Sequence, residues 1–255
     1  VSVGRECLEV RQRVLGREHR DTLNTMNILA WALRNVGEYR EAVSVGRECL
    51  EVQQRVLGKE HADTLNTMHI LALALHNTGE HREAVPVGRE CLEVRQRVLG
   101  YEHPDTLTTM SNLALALHGA GEYREAVSVG RECLEVRQRV LGREHPETLS
   151  TMNILVWALR NAGEHREAVT VGRECLEVRQ RVLGKEHPDT LLTMHFLASA
   201  VRNAGEHREA VSVGRECLEV RQRVLGREHS DLNSERYSAL FFSLLRVCCL
   251  TGCVD

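Results

Sequence analysis

Three observations predict an all-α chain folded as a right-handed α-solenoid of antiparallel helix pairs. A 42-residue segment recurs, each copy carries two runs of apolar residues at helical spacing, and a glycine follows each run. The segment VGRECLEV returns six times between Val3 and Val220, and the loop histidine recurs at His19, His61, His103, His145, His187 and His229. Five full copies are expected, at 19–60, 61–102, 103–144, 145–186 and 187–228. They follow a partial copy over 1–18 that holds only a second helix, and residues 229–255 read as a divergent repeat or capping helix. One copy cannot bury both faces of its helices, so stacked neighbours must complete the core.

In the first copy, Asp21 or Thr22 is the expected N-cap, because a short side-chain oxygen accepts free amides of the first turn. Leu23, Met26, Leu29, Ala30 and Leu33 then form the apolar face of helix A. Gly37 supplies a left-handed C′ residue, and helix B starts near Glu38 with acid in its first turn. Helix B carries two apolar stripes: Ala42, Val45, Cys49, Val52 and Val56, beside Val43, Leu50 and Leu57. An arc that wide packs between two neighbours. Gly58 ends the helix. Gly46, mid-helix, costs about 1 kcal/mol against Ala and predicts close helix approach, with a hinge as the alternative. Pro86, which stands where the first copy has Ser44, removes one helical hydrogen bond and predicts a slight kink.

Composition narrows the function classes. The chain has 255 residues, 42% apolar and 27% charged, enough to bury a core and stay in solution. A net charge of −3 and 4% aromatic residues give no case for a nucleic-acid partner. Of nine cysteines, Cys7, Cys49, Cys91, Cys133, Cys175 and Cys217 recur at one place per repeat, beyond disulfide reach of one another. They predict reduced, buried side chains in a cytoplasmic protein. No signal peptide is visible. The chain opens at Val1 in mid-repeat, which reads as a fragment of something longer.

Catalytic signatures are missing: no GxxxxGK[ST] loop, HExxH pair or GxSxG elbow occurs, and an enzyme is not expected. Neither cofactor nor metal is expected: the six loop histidines read as turn and capping elements, and one histidine per repeat does not converge on a metal. Cys248, Cys249 and Cys253 cluster without a partner motif. The apolar tail over 237–254 admits a capping helix, a truncated end or, least favoured, a membrane anchor.

Gly37, the aromatic Tyr39 two residues on and the small Ala42 three further match the tetratricopeptide repeat, which the helix pairs resemble over residues 1–229. The 42-residue length and the linker VLGxEHPDT resemble the kinesin light chain subtype, also found in C-terminal arrays of nucleotide-binding oligomerisation-type receptors. His81, His165 and His207 replace the aromatic of Tyr39 and Tyr123. Only Asn112 keeps the Asn that precedes the helix-A Leu in kinesin light chains; Ile28, Ile70, Ile154 and Phe196 stand elsewhere. The resemblance implies a superhelix whose concave groove is lined by helix A.

The copies differ from one another mainly on one face of helix A. The varied columns begin at Asn24, Asn27, Ile28, Trp31 and Arg34, whereas Met26, Leu29 and Ala32 repeat unchanged. Helix B is nearly invariant except at Ser44 and Gln53. Drift at exposed sites would also alter Arg47, Glu48, Glu51 and Arg55, which repeat unchanged, so diversified recognition is the favoured reading. The expected ligand-groove residues are Asn27, Trp31, Arg34, His69, His76, Asn112, His118, Asn153, Trp157, Arg160, His195 and Arg202. Cations and aromatics are typical interface anchors, so the expected partner is a protein or peptide with acidic groups. The expected role is the recognition array of a larger signalling protein, with a kinesin light chain-like adaptor as the alternative. End-to-end self-association is a further expectation, since neither end has an evident polar cap.

Overall fold

The computed structural model describes residues 1–225. The described residues form eleven α-helices and no strand: α1 (Ser2–Leu15), α2 (Arg20–Asn35), α3 (Tyr39–Val56), α4 (Ala62–Thr78), α5 (His81–Leu99), α6 (Pro104–Gly119), α7 (Tyr123–Val140), α8 (Pro146–Ala162), α9 (His165–Leu183), α10 (Pro188–Asn203) and α11 (His207–Leu225). The expectations for His229, the Cys248–Cys249–Cys253 cluster and the tail lie outside the described residues. Two compact units, Val1–Val129 and Gly130–Asp255, divide the chain within α7. In the first, α2 through α6 pack each on the next; in the second, α8 through α11 do the same. Short turns make consecutive helices antiparallel, which is the expected α-solenoid of helix pairs. No described helix is long and apolar enough to cross a membrane.

The loop histidines, not Asp21 or Thr22, are the N-caps. Nδ1 of His19, His61, His103, His145 and His187 accepts the backbone N–H two residues on, at 3.1–3.2 Å. The capping histidine is extended, with φ near −65° and ψ near 137°, as a residue before proline prefers. Pro104, Pro146 and Pro188 then take the first helical turn, where a missing N–H costs nothing. Thr22 is buried and its hydroxyl donates to Gly16 O at 2.8 Å, tying the linker to the helix start. The same bond recurs from Thr64, Thr106, Thr148 and Thr190.

Gly37 ends helix A as expected, at φ 87°. Its N–H bonds Arg34 O at 3.2 Å and the Glu38 N–H bonds Leu33 O at 2.9 Å, the paired closure that needs a left-handed residue. Helix B is clasped on two sides: α3 packs against both α2 and α4. Cys49 is fully buried among Leu23, Met26, Val45 and Val52, and its thiol donates weakly to Leu23 O at 3.5 Å. Burial pushes the thiol up to about 11, so Cys49 is an inert core residue. Val56, placed in the same stripe, is instead 45% exposed. At Gly46 a Cβ would lie 3.4 Å from Leu71 Cδ1 of the next helix A, an ordinary contact, whereas at the equivalent Gly172 it would lie 3.1 Å from Leu197 Cδ1. The helix α5 runs unbroken through the exposed Pro86.

Candidate functional site

In the first unit α2, α4 and α6 touch in series, so their outer faces lie side by side. Ile28 and Trp31, three residues apart on one face of α2, are 59% and 53% exposed. One turn on from Trp31, the side chain of the half-buried Arg34 makes no hydrogen bond or ion pair with a described residue, and its Nε is buried without a partner. Asn27 Oδ1 is likewise buried and unpartnered. His69 Nε2 lies 3.3 Å from Asn112 Nδ2. Burial first, then the charges of Arg95 and Arg34, hold the His69 imidazole down to about 4, so it is neutral at pH 7. His76 tilts against His81 with ring centroids 4.9 Å apart, and His118 against Tyr123 at 5.2 Å.

In the second unit α8 and α10 are in direct contact. Trp157 stacks on Phe196 with centroids 6.4 Å apart, and His195 meets the same ring edge-on at 5.9 Å. Burial, then Arg221, Arg160 and Arg202, hold His195 down to about 4. Arg160 Nη1 donates to Ser199 Oγ at 2.6 Å and its Nε to Asn161 Oδ1 at 3.0 Å. Asn153 is buried, donating to Thr193 Oγ1 at 3.1 Å. Arg202 is half-buried.

The predicted row is therefore not a uniform set of exposed cations. His118 and Asn153 are buried among neighbours, Arg160 is engaged with Ser199, and His76 leans on helix B. Trp31 and Arg34 are the pair that combines exposure with unmet bonding capacity.

Constancy of the helix-B polar residues has a structural cause. Arg47 Nη2 pairs with Glu83 at 2.7 Å and Glu80 at 3.3 Å, Glu48 with Arg17 at 3.5 Å, and Arg55 with Glu18 at 2.5 Å. The Arg47 pattern returns at Arg5, Arg89, Arg131 and Arg173. These residues repeat because each grips an adjoining repeat, so their constancy is no measure of drift. Glu51 has no such partner among the described residues, and it alone of the four keeps the original argument.

Sequence reasoning also missed a buried arginine layer beneath the helix-A faces. Arg95, Arg137 and Arg179 of helix B are 3%, 2% and 3% exposed. Each spans to the next helix A, donating to a first-turn carbonyl and a threonine hydroxyl. The available signal was the column itself, arginine at every copy except Gln53. Among the described residues no three potential metal ligands converge.

The tetratricopeptide repeat model matches residues 3–52, 33–96, 71–138, 125–180 and 158–223. No curated protein matches the chain significantly. A crystal structure of a putative kinesin light chain of Podosopora anserina, built from nearly identical TPR-like repeats, is 26% identical with a TM-score of 0.72, covering 83% of this chain and 99% of that one. A point-substituted form of the same protein is 27% identical at the same TM-score, covering 80% and 96%. BtubC (BKLC) from P. vanneervenii shares the fold at 19% identity and a TM-score of 0.71, over 89% of this chain and 92% of that one. With the family model tiling the helix pairs from residue 3 to 223, the chain belongs to the tetratricopeptide repeat family, in its kinesin light chain-like form.

Proposed function

We propose that the helix-A face of the first unit binds a peptide segment of a partner protein, with an acidic side chain at Arg34 and an apolar one over Trp31 and Ile28. Membership of the repeat family makes the chain a protein-interaction module, and no catalytic family is indicated. The observation that carries the specific reading is Arg34: a guanidinium with no described bonding partner, one turn from a tryptophan that is 53% exposed. A carboxylate can take two of its N–H groups at once, and an adjacent apolar side chain would cover the indole. We assign the module to ligand recognition within a larger signalling protein in the cytoplasm. A cargo or scaffold adaptor is the second reading, favoured by the likeness to the Podosopora anserina protein.

Selection of random displayed peptides on the purified chain tests the site. The expected consensus has Asp or Glu beside a large apolar residue. Arg34→Glu should weaken a selected peptide at least about tenfold, as loss of a charged hydrogen-bonded pair does. Arg160→Glu, whose guanidinium is already engaged with Ser199, should change it less. A consensus without acid, or unchanged affinity in Arg34→Glu, overturns the reading.

A further inference from the structure

We infer that Leu73 sets whether the helix-A face of the first unit accepts an acidic ligand. An apolar side chain at this column leaves Arg34 open to a partner's carboxylate, whereas a hydroxyl there ties the guanidinium down within the array. Leu73 has this role only on the reading of Arg34 as the anion contact.

The two units carry the same groups in the same register. Trp31 and Arg34 of α2 match Trp157 and Arg160 of α8, and His69 of α4 matches His195 of α10. Helix α2 packs on α4 as α8 packs on α10. The charge of Arg34 depresses the His69 imidazole, as that of Arg160 depresses His195, so the two guanidiniums stand alike toward the next helix A. Asn35 and Asn161, which follow the two arginines, are also the same residue. Their bonding nonetheless differs. Arg160 Nη1 donates to Ser199 Oγ at 2.6 Å, whereas the Arg34 side chain makes no bond with a described residue. The column that supplies the hydroxyl holds Trp31, Leu73, Leu115, Trp157 and Ser199, and Ser199 is its one polar member.

Ser199 is fully buried, so the bond it accepts from Arg160 is sheltered from water. A carboxylate arriving at Arg160 must displace that bond and leave a buried hydroxyl oxygen without its donor, which costs free energy. Leu73 stands at the matching place, half-buried, and has neither donor nor acceptor to offer Arg34. The Arg34 fork therefore keeps its N–H groups for an incoming acid, which it can hold with two parallel bonds. The Trp31–Arg34 and Trp157–Arg160 pairs are thus one arrangement in two states, and a single column separates them.

Acetyl-Leu-Asp-amide serves as the probe, with acetyl-Leu-Asn-amide as its neutral counterpart. Each is titrated into the ¹⁵N-labelled chain and followed at the Trp31 indole N–H and the Arg34 side-chain N–H signals. Leu73→Ala and Leu73→Ser remove the same branched chain and differ by one hydroxyl, so packing losses cancel between them. Leu73→Ser should bind the acidic probe about fivefold more weakly than Leu73→Ala, the weight of one hydrogen bond. The neutral probe should bind both variants alike. Without probe, the Arg34 side-chain protons should exchange with water more slowly in Leu73→Ser than in Leu73→Ala, and Ser199→Ala should speed exchange at Arg160 Nη. Equal affinity or equal Arg34 exchange in the two Leu73 variants, while Arg34→Glu still weakens the acidic probe, overturns control by Leu73 and leaves the Arg34 contact standing. An acidic probe that binds no better than the neutral one, or binds Arg34→Glu undiminished, overturns the Arg34 contact and the role of Leu73 with it.

Discussion

Arg95 Nη1 donates to Thr109 Oγ1 across 2.7 Å, joining α5 to α6 through a side chain that is 3% exposed. The same guanidinium also donates to Asp105 O and Asn66 Oδ1, while its Nε is buried without a partner. The bond joins one repeat to the next. Replacing Arg95 with Gln reproduces the situation at Gln53 and strips those bonds from an otherwise unchanged interface. We expect a loss of about 2 kcal/mol, the scale of hydrogen bonds to a charged group, read from urea unfolding midpoints. An unchanged midpoint would mean the buried layer contributes nothing net.

Helix-B glycines offer a graded test of packing. A Cβ on Gly46 would meet Leu71 Cδ1 at 3.4 Å, ordinary contact, whereas one on Gly172 would meet Leu197 Cδ1 at 3.1 Å with Val156 behind it at 3.7 Å. Alanine gains up to about 1 kcal/mol in a helix interior. Gly46→Ala should therefore be neutral or stabilising, and Gly172→Ala should be the less stable of the two. Thermal midpoints in the reverse order would show that helix separation does not set the glycine requirement.

Elements with local causes were legible in the sequence. Gly37 adopts its positive φ because the residues around it close a helix, and Cys49 is buried because it lies on the apolar arc. Arg95 was not legible, because arginine is ordinarily a surface residue and nothing local distinguishes it from Arg97, which is exposed. The loop histidines were legible as turn and capping elements; that a ring nitrogen accepts the bond, as an Asn side chain would, depends on the rotamer. The candidate site suffered most, since Arg34 and Arg160 are the same residue in the same column. What separates them is Ser199, which gives Arg160 a partner.

The caps give a third expectation. His145→Ala removes the acceptor for the Glu147 N–H and should cost about 1 kcal/mol, whereas His145→Asn keeps a short acceptor and should cost less. Equal losses in the two variants, by urea midpoint, would separate the histidine's value from its cap bond.

Stability should fall on mild acidification, and the sign follows from His69 and His195. Both are held near 4 in the folded chain, against about 6.5 for a free imidazole. Between these values the unfolded chain binds a proton that the folded chain refuses. Each histidine therefore contributes its full stability above pH 6.5 and loses it as pH falls toward 4. At pH 5 the loss relative to pH 7 is about 2 kcal/mol per histidine by this linkage. Glu41 and Glu209 are held below the usual carboxylate range by the hydrogen-bonded Arg5 and Arg173. The variants, not the pH step alone, isolate these two imidazoles, because burial also holds the His76 imidazole down. His69→Gln keeps a polar side chain that does not titrate, and its midpoint should change less between the two pH values than that of the parent chain. The double variant with His195→Gln should be flatter again, and identical slopes in all three would exclude these imidazoles as the source.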